Sequence, residues 1–238
     1  MLAKDLTKEE EEDYINMFKR YPHLFITNYS LIKGVDVIQH HIDLKPDAEP
    51  VAQNLRRLGV VPQEALLTEA NKLLKAGLIY PVTNYKWVSP VVVIPKKNGK
   101  WRVCVDYKSL NAATKRDNFP LPFQDEISNE VAGYERYTVY DGYLCYYQIR
   151  IAEEDQHRTT FITPWGCFAF CVMPFGLTNV PIRTFTRFTS FIFQPFFGKS
   201  IRVFLDDFCV GTVIEFCIVK DLRKVFKGST NMVKSGQV

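Results

Sequence analysis

Apolar residues recur at helical spacing within the first twenty residues of the chain. Between charged neighbours they form one stripe: Tyr14, Met17 and Phe18. Thr7 and Glu10 have the spacing of a capping box, in which each side chain satisfies a backbone N–H of the other residue. The pattern therefore predicts a helix over residues 7–20, closed by Pro22.

The clearest helical pattern runs over residues 62–76. Its apolar residues are expected to share one face: Leu66, Ala70, Leu73 and Leu74. Pro62 suits the first turn, where no backbone N–H is needed, and Gly77 is a typical residue just after a helix end.

Short apolar runs bounded by turn formers predict three hairpins. The first joins 91–94 to 101–107 through a two-residue turn signal, Asn98-Gly99. The other two join 161–163 to 167–172, and 201–205 to 208–213 with Asp206-Asp207 at the turn. The remaining predicted elements are strands at 137–141 and 146–151, and helices near 123–131 and 184–193.

Residues 26–50 carry Gly34, Pro46 and Pro50 and are typical of a linker or an arm lying on another surface. His40-His41 falls in this segment, where such a pair is more often structural or exposed than a metal ligand. The tail from residue 220 is rich in Lys and low in apolar residues, so we expect poor order there.

Bulk composition narrows the class of protein without naming a function. At 238 residues, with 47% hydrophobic and 14% aromatic residues, the chain can build one large domain or two small ones. A net charge of +4 permits a nucleic-acid partner but does not argue for one. The first residues resemble no signal peptide, and no uncharged apolar stretch is long enough for a membrane span. The six cysteines have no metal-site spacing, so we interpret them as buried apolar residues of an intracellular protein.

Two adjacent carboxylates, Asp206 and Asp207, interrupt an apolar run. An ionised carboxylate next to an apolar core is unfavourable unless a cation or hydrogen bonds take up its charge. Asp141 follows a similar strand-like run, so three carboxylates end predicted strands. Oxygen ligands in this number suit a pair of divalent cations such as Mg²⁺. The alternative is a solvated turn, which is what most Asp-Asp pairs are.

The predicted hairpin at 91–107 carries cationic side chains around its tip: Lys96, Lys97, Lys100 and Arg102. Such a tip is usually a solvated turn that resists edge-to-edge aggregation. It could also grip a triphosphate, and the pattern taken alone favours the solvated turn.

Short motifs follow one another along the chain in a recognisable order. They include Ala76–Val82, Trp87–Val92, Pro95–Tyr107, Leu110-Asn111, Asp117–Pro122, Asp141-Gly142-Tyr143, Tyr146–Ile149, Met173–Asn179 and Phe204–Asp207. Over about residues 5 to 227, their order and spacing resemble the reverse transcriptase of gypsy-type long-terminal-repeat retrotransposons, and most closely the plant branch. An x-Asp-Asp motif alone is weak, whereas a dozen motifs in this order are specific.

The resemblance implies an α+β fold, a right-hand polymerase with fingers and a palm whose antiparallel sheet packs on helices. It implies, in chain order, an N-terminal helix and linker over 1–50, fingers over 51–115 and 148–178, palm over 116–147 and 179–227, and a disordered tail over 228–238. Because the chain stops where the family continues, we also expect the thumb to be absent.

The resemblance also implies roles for individual residues. Asp141, Asp206 and Asp207 match the catalytic, metal-binding aspartates, which would hold two Mg²⁺ ions, with Mn²⁺ as a substitute. Lys96 or Lys97, with Arg102, match the fingers residues that contact the incoming dNTP. Tyr146 matches the aromatic that discriminates against a ribose 2′-hydroxyl, and Phe175 and Gly176 match the turn that shapes the nucleotide pocket. An RNA or DNA template with its primer would be bound mainly through phosphates.

The chain departs from the family pattern in three places. Leu144-Cys145 stands where the family has Ser-Gly, which adds bulk beside the expected nucleotide pocket. One extra residue follows Asn179, and we expect it to be absorbed near Pro181. The third departure is the early end of the chain.

Two other functions therefore stay open beside a retrotransposon reverse transcriptase. One is a catalytically dead, truncated relic that folds and at most binds nucleic acid weakly. The other is an interaction module with a solvated Asp-Asp turn. The sequence leaves open the oligomeric state and whether the chain acts in a cytoplasmic particle or in the nucleus.

Overall fold

The computed structural model describes residues 7–22, 28–32, 35–120, 124–133, 136–142, 145–194, 201–204 and 207–212. Six α-helices are described within these ranges: Lys8–Arg20 (α1), Val60–Lys75 (α2), Lys108–Ala113 (α3), Gln124–Ala132 (α4), Glu153–Gln156 (α5) and Thr186–Phe193 (α6). Short 3₁₀ turns lie at Tyr29–Leu31, Cys145–Gln148 and His157–Thr159, and a π-helical turn lies at Val180–Phe185.

Ten strands are described in the same ranges. They are Val35–His40 (β1), Ile79–Pro81 (β2), Ser89–Pro95 (β3), Trp101–Val105 (β4), Arg136–Asp141 (β5), Ile149–Ile151 (β6), Phe161–Thr163 (β7), Gly166–Phe170 (β8), Ile201–Phe204 (β9) and Asp207–Thr212 (β10).

The chain divides into two compact units, each built from separate stretches of sequence. The first unit comprises Met1–Thr27, Pro120–Tyr143 and Thr186–Val238, and the second comprises Asn28–Phe119 and Leu144–Phe185. The two units alternate along the chain. The assignment of individual stretches to fingers and palm stays a prediction.

The first unit is a three-stranded antiparallel sheet in the order β5-β10-β9, with helices packed on it. One sheet face is apolar because alternate strand residues point the same way. Its buried core joins α1 to β9 and β10 through Tyr14, Met17, Ile201, Val203 and Val210. Phe193 of α6 packs against the same core. The opposite face of the sheet is turned to α4 across a groove.

The second unit contains a five-stranded sheet in the order β2-β8-β7-β3-β4 and a separate parallel pair, β1-β6. Helix α2 packs against β2, β3 and β4 and buries Leu66, Ala70 and Leu73. Just after β4, Tyr107 is buried and donates its hydroxyl to the carbonyl of Thr159 at 3.0 Å. This bond ties the β4–α3 junction to the segment that precedes β7.

The two strongest helix predictions are confirmed with small changes of boundary. Helix α1 begins at Lys8 with the complete capping box of Thr7 and Glu10. Helix α2 begins at Val60, two residues before the predicted start, and Gly77 follows it with φ +70°. Leu74 has the spacing of the same helix face, but it is 41% exposed, whereas Leu66, Ala70 and Leu73 are buried.

Three predictions of local structure are wrong. Residues 145–148 form a 3₁₀ turn, so the strand predicted over 146–151 is confined to Ile149–Ile151. Residues 35–40, predicted as part of a linker, form β1, which pairs in parallel with β6. Cys104 and Cys171 are only half-buried, whereas Cys145, Cys167 and Cys209 are buried as predicted.

The turns of two hairpins also differ from prediction. Between β3 and β4, the Gly99 N–H donates to the Lys96 carbonyl, so Lys97-Asn98 is the centre of the turn rather than Asn98-Gly99. Gly99 follows in the left-handed region with φ +76°, which is typical of a three-residue hairpin loop. Between β9 and β10, Asp207 is the first strand residue and not a turn residue.

A π-helical turn before the predicted helix at 184–193 can accommodate the extra residue that follows Asn179. Val180–Phe185 is π-helical, and the Thr184 N–H donates to the Asn179 carbonyl five residues earlier. A π-helical turn holds one more residue than an α-helical turn. The extra residue relative to the family pattern can thus be absorbed before α6 begins.

His40 is buried, and its Nδ1 lies 2.7 Å from the Thr184 hydroxyl, in keeping with the structural reading of the histidine pair. Within the described residues, no helix is long and apolar enough to cross a bilayer. The tail predicted to be poorly ordered lies outside the described residues, as do Gly34 and Cys217.

Candidate active site

The strand register of the first unit brings two of the predicted carboxylate residues together. Asp207, at the start of β10, is directly opposite Asp141, at the end of β5. Directly opposed residues of an antiparallel pair lie on the same sheet face. Asp207 is exposed, whereas Asp206 and the side chain of Asp141 lie outside what the structure describes.

Alternation along β10 separates this carboxylate face from the core. Phe208 and Val210 belong to the core face, and Asp207 and Cys209 point to the other. On that other face, a groove of about 430 Å³ lies between α4 and the sheet. Its lining includes Arg202, Asp207 and Cys209, so one cation and one carboxylate share a largely apolar groove. Burial raises the pKa of the Cys209 thiol, and the positive charge of Arg202 partly offsets this rise.

The donor set suits a hard divalent cation, because paired carboxylate residues at strand ends offer oxygen ligands. Among the residues that the structure describes, no three His, Cys, Asp or Glu side chains converge on a possible metal position. The structure does not describe the side chains of Asp141 and Asp206, so their part in a metal site stays a prediction.

The predicted cationic tip is formed by the β3–β4 hairpin of the second unit. The Lys96 N–H donates to the Lys100 carbonyl at 2.7 Å, which closes the loop. Arg102 is opposite Ile94 in the ladder. The side chains at the tip are all exposed: Lys96, Lys97, Lys100 and Arg102. The tip thus concentrates positive charge where an anion can reach it.

Tyr146 is enclosed by two aromatic rings within the second unit. The centroids of Phe175 and Phe185 each lie 5.0 Å from that of Tyr146, in edge-to-face arrangements. Tyr146 itself is 5% exposed, while Phe175 is 48% exposed. Next to it, burial raises the pKa of the Tyr147 hydroxyl well above its ordinary value. The structure therefore places the Tyr146 ring against Phe175, the neighbour of Gly176, and the roles of the three residues stay predictions.

Sequence reasoning missed two asparagines that bind this region's backbone. Asn111 contacts residues 176 and 178, and Asn179 contacts residues 115 and 117. Both lie inside motifs that carry the family resemblance, which was the available signal. Their partners are more than sixty residues away along the chain, so the local sequence could not disclose the contacts.

A comparison with protein families decides the class of the chain. The family described as "Reverse transcriptase (RNA-dependent DNA polymerase)" matches residues 94–231. The chain belongs to the reverse transcriptase family. The match extends from β3 in the second unit past β10, and it includes Asp141, Asp206 and Asp207.

Polyproteins of transposons are among the curated relatives of this reverse transcriptase domain. The chain is 29% identical over 210 residues to the Retrovirus-related Pol polyprotein from transposon 297 of Drosophila melanogaster, covering 86% of the chain and 20% of the relative. It is 30% identical over 168 residues to the Transposon Tf2-3 polyprotein of Schizosaccharomyces pombe, covering 71% of the chain and 12% of the relative. The chain thus spans at most a fifth of the length of these relatives.

Solved structures confirm the predicted α+β fold of polymerase fingers and palm. The prototype foamy virus protease-reverse transcriptase matches with a TM-score of 0.85 at 20% identity, over 95% of this chain and 30% of that one. The foamy viral enzyme in complex with an RNA/DNA hybrid matches with a TM-score of 0.84 at 20% identity, over 97% of this chain and 31% of that one. At this identity the likeness concerns the fold.

Proposed function

We propose that this reverse transcriptase domain catalyses RNA- and DNA-templated DNA synthesis from dNTPs in a gypsy-type long-terminal-repeat retrotransposon of the plant branch. The observation that carries the proposal is the register that pairs Asp207 with Asp141 on the sheet face opposite the core. Asp206 adjoins this pair in sequence. The affiliation with the plant branch rests on the motifs across residues 76–107 and 173–179.

The three aspartates are assigned to hold two Mg²⁺ ions, with Mn²⁺ able to replace them. When bound, the ions would supply Lewis-acid activation of the primer 3′-hydroxyl and neutralise charge on the leaving phosphates. Carboxylates suit these ions because their oxygens are hard ligands. The residues' own contribution would be to offer carboxylate oxygens from the end of β5 and the start of β10 on one face of the sheet.

Residues of the second unit are assigned to the incoming nucleotide. Lys96, Lys97 and Arg102 neutralise the triphosphate, and Arg102 can bind two of its oxygens at once. Tyr146, whose ring packs edge to face against Phe175, is assigned to leave no room for a 2′-hydroxyl, and Phe175 with Gly176 completes that wall. Contacts to the template and primer run mainly through phosphates, so binding weakens as salt increases.

Primer extension tests the proposal directly. The wild-type chain should extend a DNA primer on RNA and DNA templates when Mg²⁺ and dNTPs are supplied. Asp141→Asn and Asp207→Asn should each reduce extension to background, because each removes a charged metal ligand. The matched control is Asp47→Asn at an exposed position of the second unit, which should extend primers like the wild type.

Extension that survives both active-site substitutions would contradict the assignment of the carboxylates. A folded wild-type chain that binds template–primer but never extends it would favour the second candidate, a non-catalytic relic. That candidate is motivated by Leu144-Cys145, which stands where the family has Ser-Gly, and by the 5% exposure of Cys145 beside Tyr146.

A further inference from the structure

The two ends of one side-chain amide hold the turn at Phe175-Gly176. The Asn111 Nδ2 donates to the Gly176 carbonyl at 2.8 Å, and the Thr178 N–H donates to the Asn111 Oδ1 at 2.9 Å. Asn111 lies on α3, and its own N–H donates to the Tyr107 carbonyl at 2.7 Å. The turn is thus attached to a helix that follows the deeply buried Tyr107.

Only a primary amide can make both bonds, because one atom must donate and the other must accept. Aspartate could accept from Thr178 but could not donate to Gly176. Leucine has a similar shape and can do neither. The pair of bonds is therefore specific to the residue type and is not a consequence of packing alone.

The backbone of Gly176 has a conformation that leaves the turn little freedom to move. Gly176 has φ +98°, which lies in a backbone region that residues with a side chain rarely adopt. A Cβ atom built at Gly176 would lie 3.5 Å from the Val105 carbonyl oxygen and 3.6 Å from the Tyr107 ring. The turn therefore lies directly against the end of β4, and Asn111 fixes it there.

The turn in turn determines where the Phe175 ring stands. That ring is half-exposed and meets Tyr146 edge to face, with 5.0 Å between centroids, and Tyr147 with 5.8 Å between centroids. With few other groups covering it, Phe175 depends on its backbone for its position. A shift of the turn would open the wall formed by Phe175 and Tyr146.

We propose that Asn111 is a positioning residue that locks the Phe175-Gly176 turn against Tyr146 and thereby sets the discrimination between deoxyribonucleotides and ribonucleotides. The inference rests on the proposed function, because it assigns the wall to the nucleotide pocket. Asn111 acts through the turn and is not assigned any contact with substrate.

A neighbouring asparagine provides a matched control. The Asn179 Nδ2 donates to the Lys115 carbonyl at 2.8 Å, and the Asp117 N–H donates to the Asn179 Oδ1 at 3.3 Å. Asn179 thus binds two backbone groups as Asn111 does, but in a different segment. Asn179→Leu should disturb residues 115–117 and leave the Thr178 N–H protected.

Amide hydrogen exchange tests the attachment without requiring activity. Asn111→Leu should raise the exchange rate of the Thr178 amide by about tenfold, the effect of losing one hydrogen bond. Asn111→Asp keeps the acceptor and should leave Thr178 protected. Asn179→Leu should raise exchange at Asp117 instead. Thermal midpoints of all variants, measured in parallel, identify any that simply fail to fold.

Nucleotide discrimination tests the consequence. In Asn111→Leu, the ratio of kcat/KM for dATP over ATP should fall about three- to tenfold, the range expected for a wall that has lost one or two neutral hydrogen bonds. The change should appear mainly in KM, because no reacting group is touched. Asn111→Asp should also lower the ratio, since the Gly176 bond is lost, whereas Asn179→Leu should lower it less.

Faster Thr178 exchange together with a lower nucleotide ratio in Asn111→Leu, with Thr178 still protected and a smaller change of the ratio in Asn179→Leu, supports the inference. Unchanged Thr178 exchange in Asn111→Leu, or an unchanged nucleotide ratio in an active variant, overturns it. A wild-type chain that is inert in primer extension but shows Asn111-dependent exchange at Thr178 counts against the proposed function and upholds the attachment of the turn. The two failures are therefore distinguishable.

Discussion

Asp106, directly after β4, accepts a hydrogen bond from Arg56, which lies ahead of α2, at 2.5 Å. Burial would raise the pKa of Asp106, but the bonds from Arg56 and from the Lys108 N–H outweigh it and lower the pKa below its ordinary value of 3.8. The charged form is thus favoured in the folded protein. This single contact links two segments fifty residues apart in the second unit.

The lowered pKa predicts a specific acid sensitivity. The charged Asp106 carboxylate stabilises the fold fully when the pH is above its pKa in the unfolded protein. This stabilisation is lost as the pH falls through its pKa in the folded protein. Between pH 7 and pH 3, the wild type should therefore lose more unfolding free energy than Asp106→Asn, by about 0.5 kcal/mol, the size of an ion pair near the protein surface. Urea titrations at both pH values measure the difference.

The control for this prediction is Asp47→Asn, which also removes one carboxylate from an exposed stretch of the second unit. It should follow the wild type across the same pH range. If Asp106→Asn loses as much stability as the wild type between pH 7 and pH 3, the bond to Arg56 contributes nothing to the fold.

A glycine flanks helix α2 at each end, and the two glycines differ in whether their backbone conformation requires glycine. Gly59, its N-cap, has φ −67° and no side chain to accept a hydrogen bond, and the first turn holds no acidic residue. A Cβ atom at Gly59 would come no closer than 3.9 Å to Pro62. Gly77, beyond the other end, has φ +70°. The first glycine is replaceable, whereas the second is required by its backbone conformation.

Gly59→Asp should therefore stabilise the protein by about 0.5–1 kcal/mol, through a capping bond and a favourable charge at the helix N-terminus. Gly77→Ala should destabilise it by about 1 kcal/mol, because alanine is strained at positive φ. Thermal unfolding of the two variants beside the wild type measures both shifts. Shifts of the same sign would contradict the assignment of the two ends.

The elements that the sequence predicts best are those with local signals. The capping box of α1 and the Pro62 and Gly77 boundaries of α2 lie within a few residues of the structure they determine. By contrast, β1 has its partner β6 more than a hundred residues away, so no local pattern marks it as a strand. The spacing that puts Leu74 on the face of Leu66 and Ala70 could not show that Leu74 stays exposed, because the covered width of a helix face is set by what packs on it.

The residues of the candidate site could be named from local motifs, but their contacts could not. The carboxylates, the cationic hairpin and Tyr146 could be named from residue type and motif. The register that pairs Asp141 with Asp207, and the bonds from Asn111 to residues 176 and 178, required the tertiary structure. The start of β10 at Asp207 was missed because both aspartates are typical turn residues.

At the scale of the whole molecule, the first unit depends on contacts between α1 and two strands that are distant in sequence, β9 and β10. Met17 of α1 is fully buried against β9 and β10. Met17→Ala should lower the unfolding free energy by about 2–4 kcal/mol, since it removes a buried side chain and leaves a cavity. Ile15, on the same helix but 38% exposed, provides the control.

Ile15→Ala should cost less than about 1 kcal/mol, as is usual for a substitution outside the core. Urea unfolding followed by circular dichroism compares both variants with the wild type. Equal losses in the two variants would mean that α1 does not dock on the sheet through its Met17 face.

The discontinuous first unit also has a consequence during synthesis on the ribosome. Its middle strand, β10, is the last described strand to be made, and it separates β5 from β9 in the sheet. At ordinary translation rates, the apolar face of α1 must wait roughly ten to forty seconds for the strands that cover it. Throughout that interval, the stripe of Tyr14 and Met17 stays exposed on the nascent chain and can associate with other apolar surfaces.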